Sequence, residues 1–176
     1  MKKQAGMTLI ELLIVLAAAA IIATITAGYA LPWIAAERVR SAIYDVQTYL
    51  QISRIEAVSR NRAVRFVLNT ATRQIAVIDS VGTSSTSDDV TIRQTVLPTT
   101  VSFARPISGA PVTLTSLGGN AYETIFSSDG SVTSGTGDVS LLGGAQYQRV
   151  SVFAAGGTQV SIWRISRWVS GYDTAS

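Results

Sequence analysis

Residues 12–31 carry no charge, and a single carboxylate, Glu11, stands at the head of that stretch. About 20 apolar residues at 1.5 Å each cross a hydrocarbon core, so the segment has the length of a membrane span. An acid at the centre of such a helix costs about 2.5–3.5 kcal/mol, so Glu11 needs a partner or a purpose. Two plainer readings compete. A cleaved secretory signal has an apolar core of about 7–15 residues ahead of a small-residue site. This run is longer and contains Glu11, although the alanines at 17–20 imitate such a site. An ordinary single-span anchor accounts for the hydrophobicity but gives Glu11 no role.

Past the span roughly 140 residues remain, enough for one soluble domain with its own core. The chain has no Cys, so it forms no disulfide and no thiolate metal site. It also has no His, which leaves no material for a zinc site, a catalytic triad or a Cys–His dyad. The expectation is a non-enzymatic protein with no catalytic residues, no resident metal and no cofactor. Acid-only calcium sites stay open in principle, but Asp88-Asp89 and Asp129-Gly130 fall short of the 6–8 oxygens such a site uses and read as solvated loop acids. The paired glycines at 118–119, 143–144 and 156–157 read as turns, since no phosphate-loop Lys follows them.

Helical patterning resumes directly after the span. Gly28 and Pro32 predict a weakened or kinked helix there, and Trp33 suits an interfacial anchor. Val39, Ala42, Ile43, Val46, Tyr49, Leu50, Ser53 and Ala57 then form an amphipathic stripe of period 3.6. The pattern predicts one helix from about Leu9 to Arg60, crossing the membrane with its first half and packing on a sheet with its second. From Ala63 the period becomes 2, with Val64, Phe66 and Leu68 on one side and a turn at 69–72 before a second strand at 74–79. Further strands are expected at 90–96, 100–103, 112–114, 123–126, 139–142, 149–154 and 159–165, with turns at Asp129-Gly130 and Gly156-Gly157. The fold class is therefore α+β: a long N-terminal transmembrane and amphipathic helix, then a β-rich domain of antiparallel sheets.

Gly6-Met7-Thr8-Leu9-Ile10-Glu11-Leu12-Leu13 resembles the class III leader junction of type IV pilins and type II secretion pseudopilins, with Met7 in place of the usual Phe. The resemblance implies a leader over residues 1–6, cleavage between Gly6 and Met7 by a prepilin peptidase, and N-methylation of Met7. Gly6 suits that step because it leaves the backbone open to a protease. Cleavage creates an ammonium at Met7, one helical turn from Glu11. In a filament core of low dielectric that attraction is strong and an unpaired charge is penalised, so Glu11 is the candidate assembly residue and sets axial register. Charge alone leaves topology tied, with Lys2 and Lys3 before the span and Arg38 and Arg40 after it. The resemblance implies inner-membrane insertion with a periplasmic C-terminal domain.

The resemblance narrows along the chain. Ser53-Arg54-Ile55-Glu56-Ala57, Phe126-Ser-Ser-Asp-Gly130 and Arg149-Val-Ser-Val-Phe-Ala-Ala-Gly156 are similar to segments of the GspH/FimT group of minor pseudopilins, in the same order. This implies a pilin-like division into an assembly helix over 7–33, an amphipathic half over 34–62 and two sheets in a sandwich-like domain over 63–176. It also implies a structural role near the tip of a type II secretion pseudopilus. The partners implied are other pilin-like subunits through the helix, the prepilin peptidase and inner-membrane lipid. The alternative is a type IV pilus minor pilin involved in pilus assembly or, through DNA binding, in DNA uptake. For that, Trp163-Arg164-Ile165-Ser166-Arg167-Trp168 supplies candidate phosphate contacts in Arg164 and Arg167. The family's Gly-Arg-type segment is replaced by Gly157-Thr158-Gln159, so those two arginines lie out of its register. The plainer expectation for the run is an exposed strand end docked on the core or a neighbour. Taking Lys2 and Lys3 from 14 basic residues leaves 12, all Arg, against 11 acids, which argues against a broad nucleic-acid surface. Arg54, Arg60, Arg62, Arg65 and Arg73 read as a solvated face with pairs such as Glu56–Arg60, or as a subunit interface.

Overall fold

The computed structural model describes residues 8–81, 87–164 and 166–170, with the backbone alone at 27–31. One helix, α1 (Leu9–Arg60), runs 52 residues without interruption through Gly28 and Pro32. At 1.5 Å per residue that is about 78 Å, far longer than the domain it enters. The weakening or kink expected at Gly28 and Pro32 does not interrupt it, and the single helix expected from about Leu9 to Arg60 is the one observed. Its end is sharp: Asn61 takes the left-handed conformation (φ 51°, ψ 42°) and its amide turns back to the Ala57 and Val58 carbonyls.

The stripe read from the sequence is the docked face. Val39, Ala42, Ile43, Val46, Leu50, Ser53 and Ala57 are fully buried, and Tyr49 packs at the margin. Eleven strands follow in chain order: β1 (Val64–Asn69), β2 (Gln74–Asp79), β3 (Val90–Val96), β4 (Ser102–Phe103), β5 (Thr115–Gly118), β6 (Ala121–Phe126), β7 (Val132–Ser134), β8 (Gly137–Gly143), β9 (Gln146–Val152), β10 (Thr158–Arg164) and β11 (Arg167–Ser170). They form two antiparallel sheets, one in the order β3-β2-β1-β6-β5 with β7 beside β6, the other β11-β10-β9-β8-β4.

Alternation sets which side faces inward. Val64, Phe66 and Leu68 of β1 point into the core, with Ile75 and Val77 of β2 beside them. Val139 and Leu141 of β8 and Val150 and Val152 of β9 do the same from the second sheet. The amphipathic half of α1 packs on the inner faces of both sheets, so the helix is the third component of one core. Leu97, Val101, Val112 and Leu114 close it from the connecting segments.

Three strand expectations change. Residues 112–114 form no strand: Val112 makes one isolated bridge to Val139, and the strand begins at Thr115. β7 lies beside β6 after the Asp129-Gly130 turn, where its short, polar sequence gives no alternating signal. The C-terminal run is no single strand end. It folds back as the β10–β11 hairpin, with Trp163 opposite Trp168 and Arg164 opposite Arg167. The Asn69 turn holds because its side-chain Oδ1 accepts from the Ala71 and Thr72 amides, both at 3.0 Å.

Candidate assembly site

The apolar half of α1 is bare. Its most hydrophobic window, Leu9–Thr26, has a mean hydropathy of 2.6 and none of it is buried against the rest of the chain. Leu9 is 77% exposed and Trp33, where the domain begins, 68%. A face this large and this apolar does not stay in water. By length and composition it suits a bilayer or a bundle of like helices.

The start of that helix is a capping box. The Glu11 amide donates to Thr8 Oγ1 at 3.3 Å, and the Thr8 amide donates to Glu11 Oε2 at 3.5 Å. Two backbone donors that the first turn leaves without helical partners are met in this way. The sequence reading singled out Glu11 and passed over Thr8. The signal was present, since Thr-x-x-Glu ahead of an apolar run is a helix-start pattern. The box aims the carboxylate toward the helix terminus, where negative charge is also favoured by the peptide dipoles. An ionised carboxylate offers about four acceptor positions, so one long bond to Thr8 leaves capacity for an ammonium. Gly6 and Met7, the expected cleavage pair, lie outside the described residues.

The arginines near the helix end are not a simple solvated face. Glu56 and Arg60 pair as expected, at 2.7 Å. Arg60 also reaches Asp79 at 3.0 Å, and Arg62 bonds the same carboxylate oxygen. Asp79 is 1% exposed on the inner face of β2. Burial pushes its carboxyl up, but the Val81 amide, Arg62 and Arg60 together outweigh that and hold it below the usual carboxylate range. Arg65 turns to Asp89 at 3.0 Å and Glu123 at 3.1 Å, so Asp89 is an ion-pair partner and no solvated loop acid. Asp129 accepts from the Ser131 hydroxyl and amide within its turn, which lowers its carboxyl. Among the described residues no three His, Cys, Asp or Glu side chains are gathered as a metal site would need.

Arg164 and Arg167 are exposed and face each other across the tip of the β10–β11 hairpin. The tryptophans beside them are engaged within the protein. Trp163 meets Trp168 edge to face, with centroids 5.3 Å apart at 70°, and the Arg149 guanidinium lies 4.5 Å from the Trp168 centroid.

A bare apolar half-helix, continuous with a half that anchors two antiparallel sheets, defines the class of pilin-like subunits. The prokaryotic N-terminal methylation motif matches residues 1–27, and the family model for type II transport protein GspH matches residues 42–156. The chain belongs to this GspH family: it is a pilin-like pseudopilin, of a kind that assembles with other pilin-like subunits. No curated protein and no solved structure matches it.

Proposed function

We propose that the chain is a minor pseudopilin, a non-enzymatic structural subunit near the tip of the type II secretion pseudopilus. It is processed between Gly6 and Met7, methylated on Met7, and held in the inner membrane with its sheets in the periplasm. The observation that carries this reading is the unburied Leu9–Thr26 segment, headed by Glu11 in its capping box and continuous with the helix that enters the domain. Such a helix supplies apolar area for lateral packing, and Glu11 supplies the one charge that distinguishes one axial position from the next. A subunit out of register leaves a carboxylate and an ammonium unpaired in a low-dielectric bundle, a penalty of several kcal/mol.

The test is Glu11→Val in cells that assemble the filament. The expected outcome is entry into filaments reduced at least about tenfold, the equivalent of 1.4 kcal/mol, with unchanged membrane insertion and with mass spectrometry still showing a methylated Met7 terminus. Filaments that take up the variant as well as the unaltered chain would overturn the register role. A second reading, a type IV pilus subunit that contacts DNA, rests on the exposed Arg164–Arg167 pair.

A further inference from the structure

A cleft of about 390 Å³ lies at the open edge between the two sheets, lined among others by Thr70, Arg73, Ser102, Phe103, Val112 and Tyr122. Its lining mixes apolar side chains with hydroxyls and one guanidinium, the make-up of a site that takes a small polar group on an apolar body. Arg73 is the charged member. Arg60, Arg62, Arg65, Arg105 and Arg149 each meet an acid of this chain. Among the described residues Arg73 meets none. Arg38, Arg40, Arg54, Arg93, Arg164 and Arg167 share that lack but are exposed, whereas Arg73 is half-buried and lines the cleft.

Arg73 also occupies a backbone position that suits glycine. Its φ is 58°, in the left-handed region, where its Cβ crowds the following carbonyl. An unfavourable conformation held by a cation in a cleft points to a use for the side chain.

The location limits what can reach it. Ser102 and Phe103 pair with Leu142 and Leu141, next to Gly143, and Gly143 abuts Ala35 and Val39 on α1. The β1–β2 turn that carries Arg73 is at the far end of β1 from the helix C-terminus. The cleft therefore sits in the half of the domain nearer the apolar segment.

We propose that this cleft binds a peptide carboxylate, with an adjacent apolar side chain against Phe103 and Val112, supplied by a neighbouring filament subunit. A guanidinium holds a carboxylate through two parallel N–H···O bonds, and partial burial keeps the pair from being screened away. The identity of the donor rests on the reading of the chain as a filament subunit; the binding chemistry does not.

The test uses the full chain in detergent micelles and a labelled acetyl-Asp-Phe-Glu-amide peptide, with acetyl-Asn-Phe-Gln-amide as its uncharged counterpart. Arg73→Gln is expected to weaken binding of the acidic peptide about tenfold, and the uncharged peptide to bind about tenfold more weakly. Arg93→Gln leaves binding unchanged. Arg73→Gly loses binding yet raises the unfolding midpoint by ~2–5 °C, because it relieves the left-handed backbone. Absent binding, equal binding of the two peptides, or an equal loss in Arg93→Gln each overturns the proposal. Glu11→Val retains peptide binding, so failure of assembly and failure of the cleft are read separately.

Discussion

Two carboxylates do different work in this chain, and their surroundings decide which. Glu11 stands in the first turn of a bare helix, held by one long bond to the Thr8 amide. It is oriented but not saturated, which suits a group that meets another subunit. Asp79 is sealed inside, saturated by the Val81 amide, Arg60 and Arg62, and ties the helix C-terminus to β2. Asp79→Asn should cost about 1–2 kcal/mol, the low end for charged hydrogen bonds because the guanidinium ends are partly in water. The pH dependence follows from the lowered carboxyl. The unfolded group titrates near 3.9, and the folded one below that. The contribution is therefore complete above the unfolded value and is lost as pH falls through the folded one. Denaturant unfolding from pH 7 to pH 2 checks this: the gap between the unaltered chain and Asp79→Asn should close only at the acid end. A gap that stays constant would show that Asp79 contributes through packing alone. None of this was legible as such in the sequence, where Arg60 and Arg62 read as solvated; their acid lies 17 to 19 residues away, across a turn and two strands.

At the scale of elements, the helix docks as closely as its neighbour allows. A Cβ at Gly143 would lie 2.6 Å from the Val39 Cβ and 3.0 Å from the Ala35 carbonyl oxygen. The β8–β9 turn can approach α1 only because that position has no side chain. Gly143→Ala should push the turn off the helix, cost about 1–3 kcal/mol and lower the thermal midpoint accordingly. An unchanged midpoint would mean the turn is not held against the helix in solution. The sequence marked Gly143-Gly144 as a turn; Gly143 ends β8 and Gly144 begins the turn, and nothing in the sequence pointed to the helix across from them. The β10–β11 hairpin shows the same limit. Residues 159–165 had strand character, yet the return strand is four residues long and its pairing is fixed by Trp163 facing Trp168. Propensity does not encode that contact. α1 is the opposite case: its stripe was read residue by residue, because a 3.6 period states which face is buried without naming what covers it.

The whole molecule is a rod with a weight at one end: about 78 Å of helix, half of it bare, with both sheets closed around the other half. Apart from Lys2 and Lys3 its basic and acidic residues nearly balance, 12 against 11. Most of the interior arginines are neutralised by acids of the same chain. A broad phosphate-binding face is not built into such a surface. The full chain in micelles should show no salt-sensitive complex with duplex DNA at protein concentrations up to ~10 µM in ~150 mM salt. A complex that disappears in Arg164→Ala with Arg167→Ala would instead favour the uptake reading. The amino-acid order alone determined the membrane-length segment, the single acid at its head, the docked stripe and the change to period 2, because each is a local pattern of polarity along a chain. The folded arrangement alone decided that Glu11 is capped by Thr8, that Asp79 gathers two arginines, that the last strand folds back, and that Arg73 lines a cleft and meets no acid among the described residues. Those depend on which residues distant in sequence come within a few ångströms, and periodicity carries no record of that.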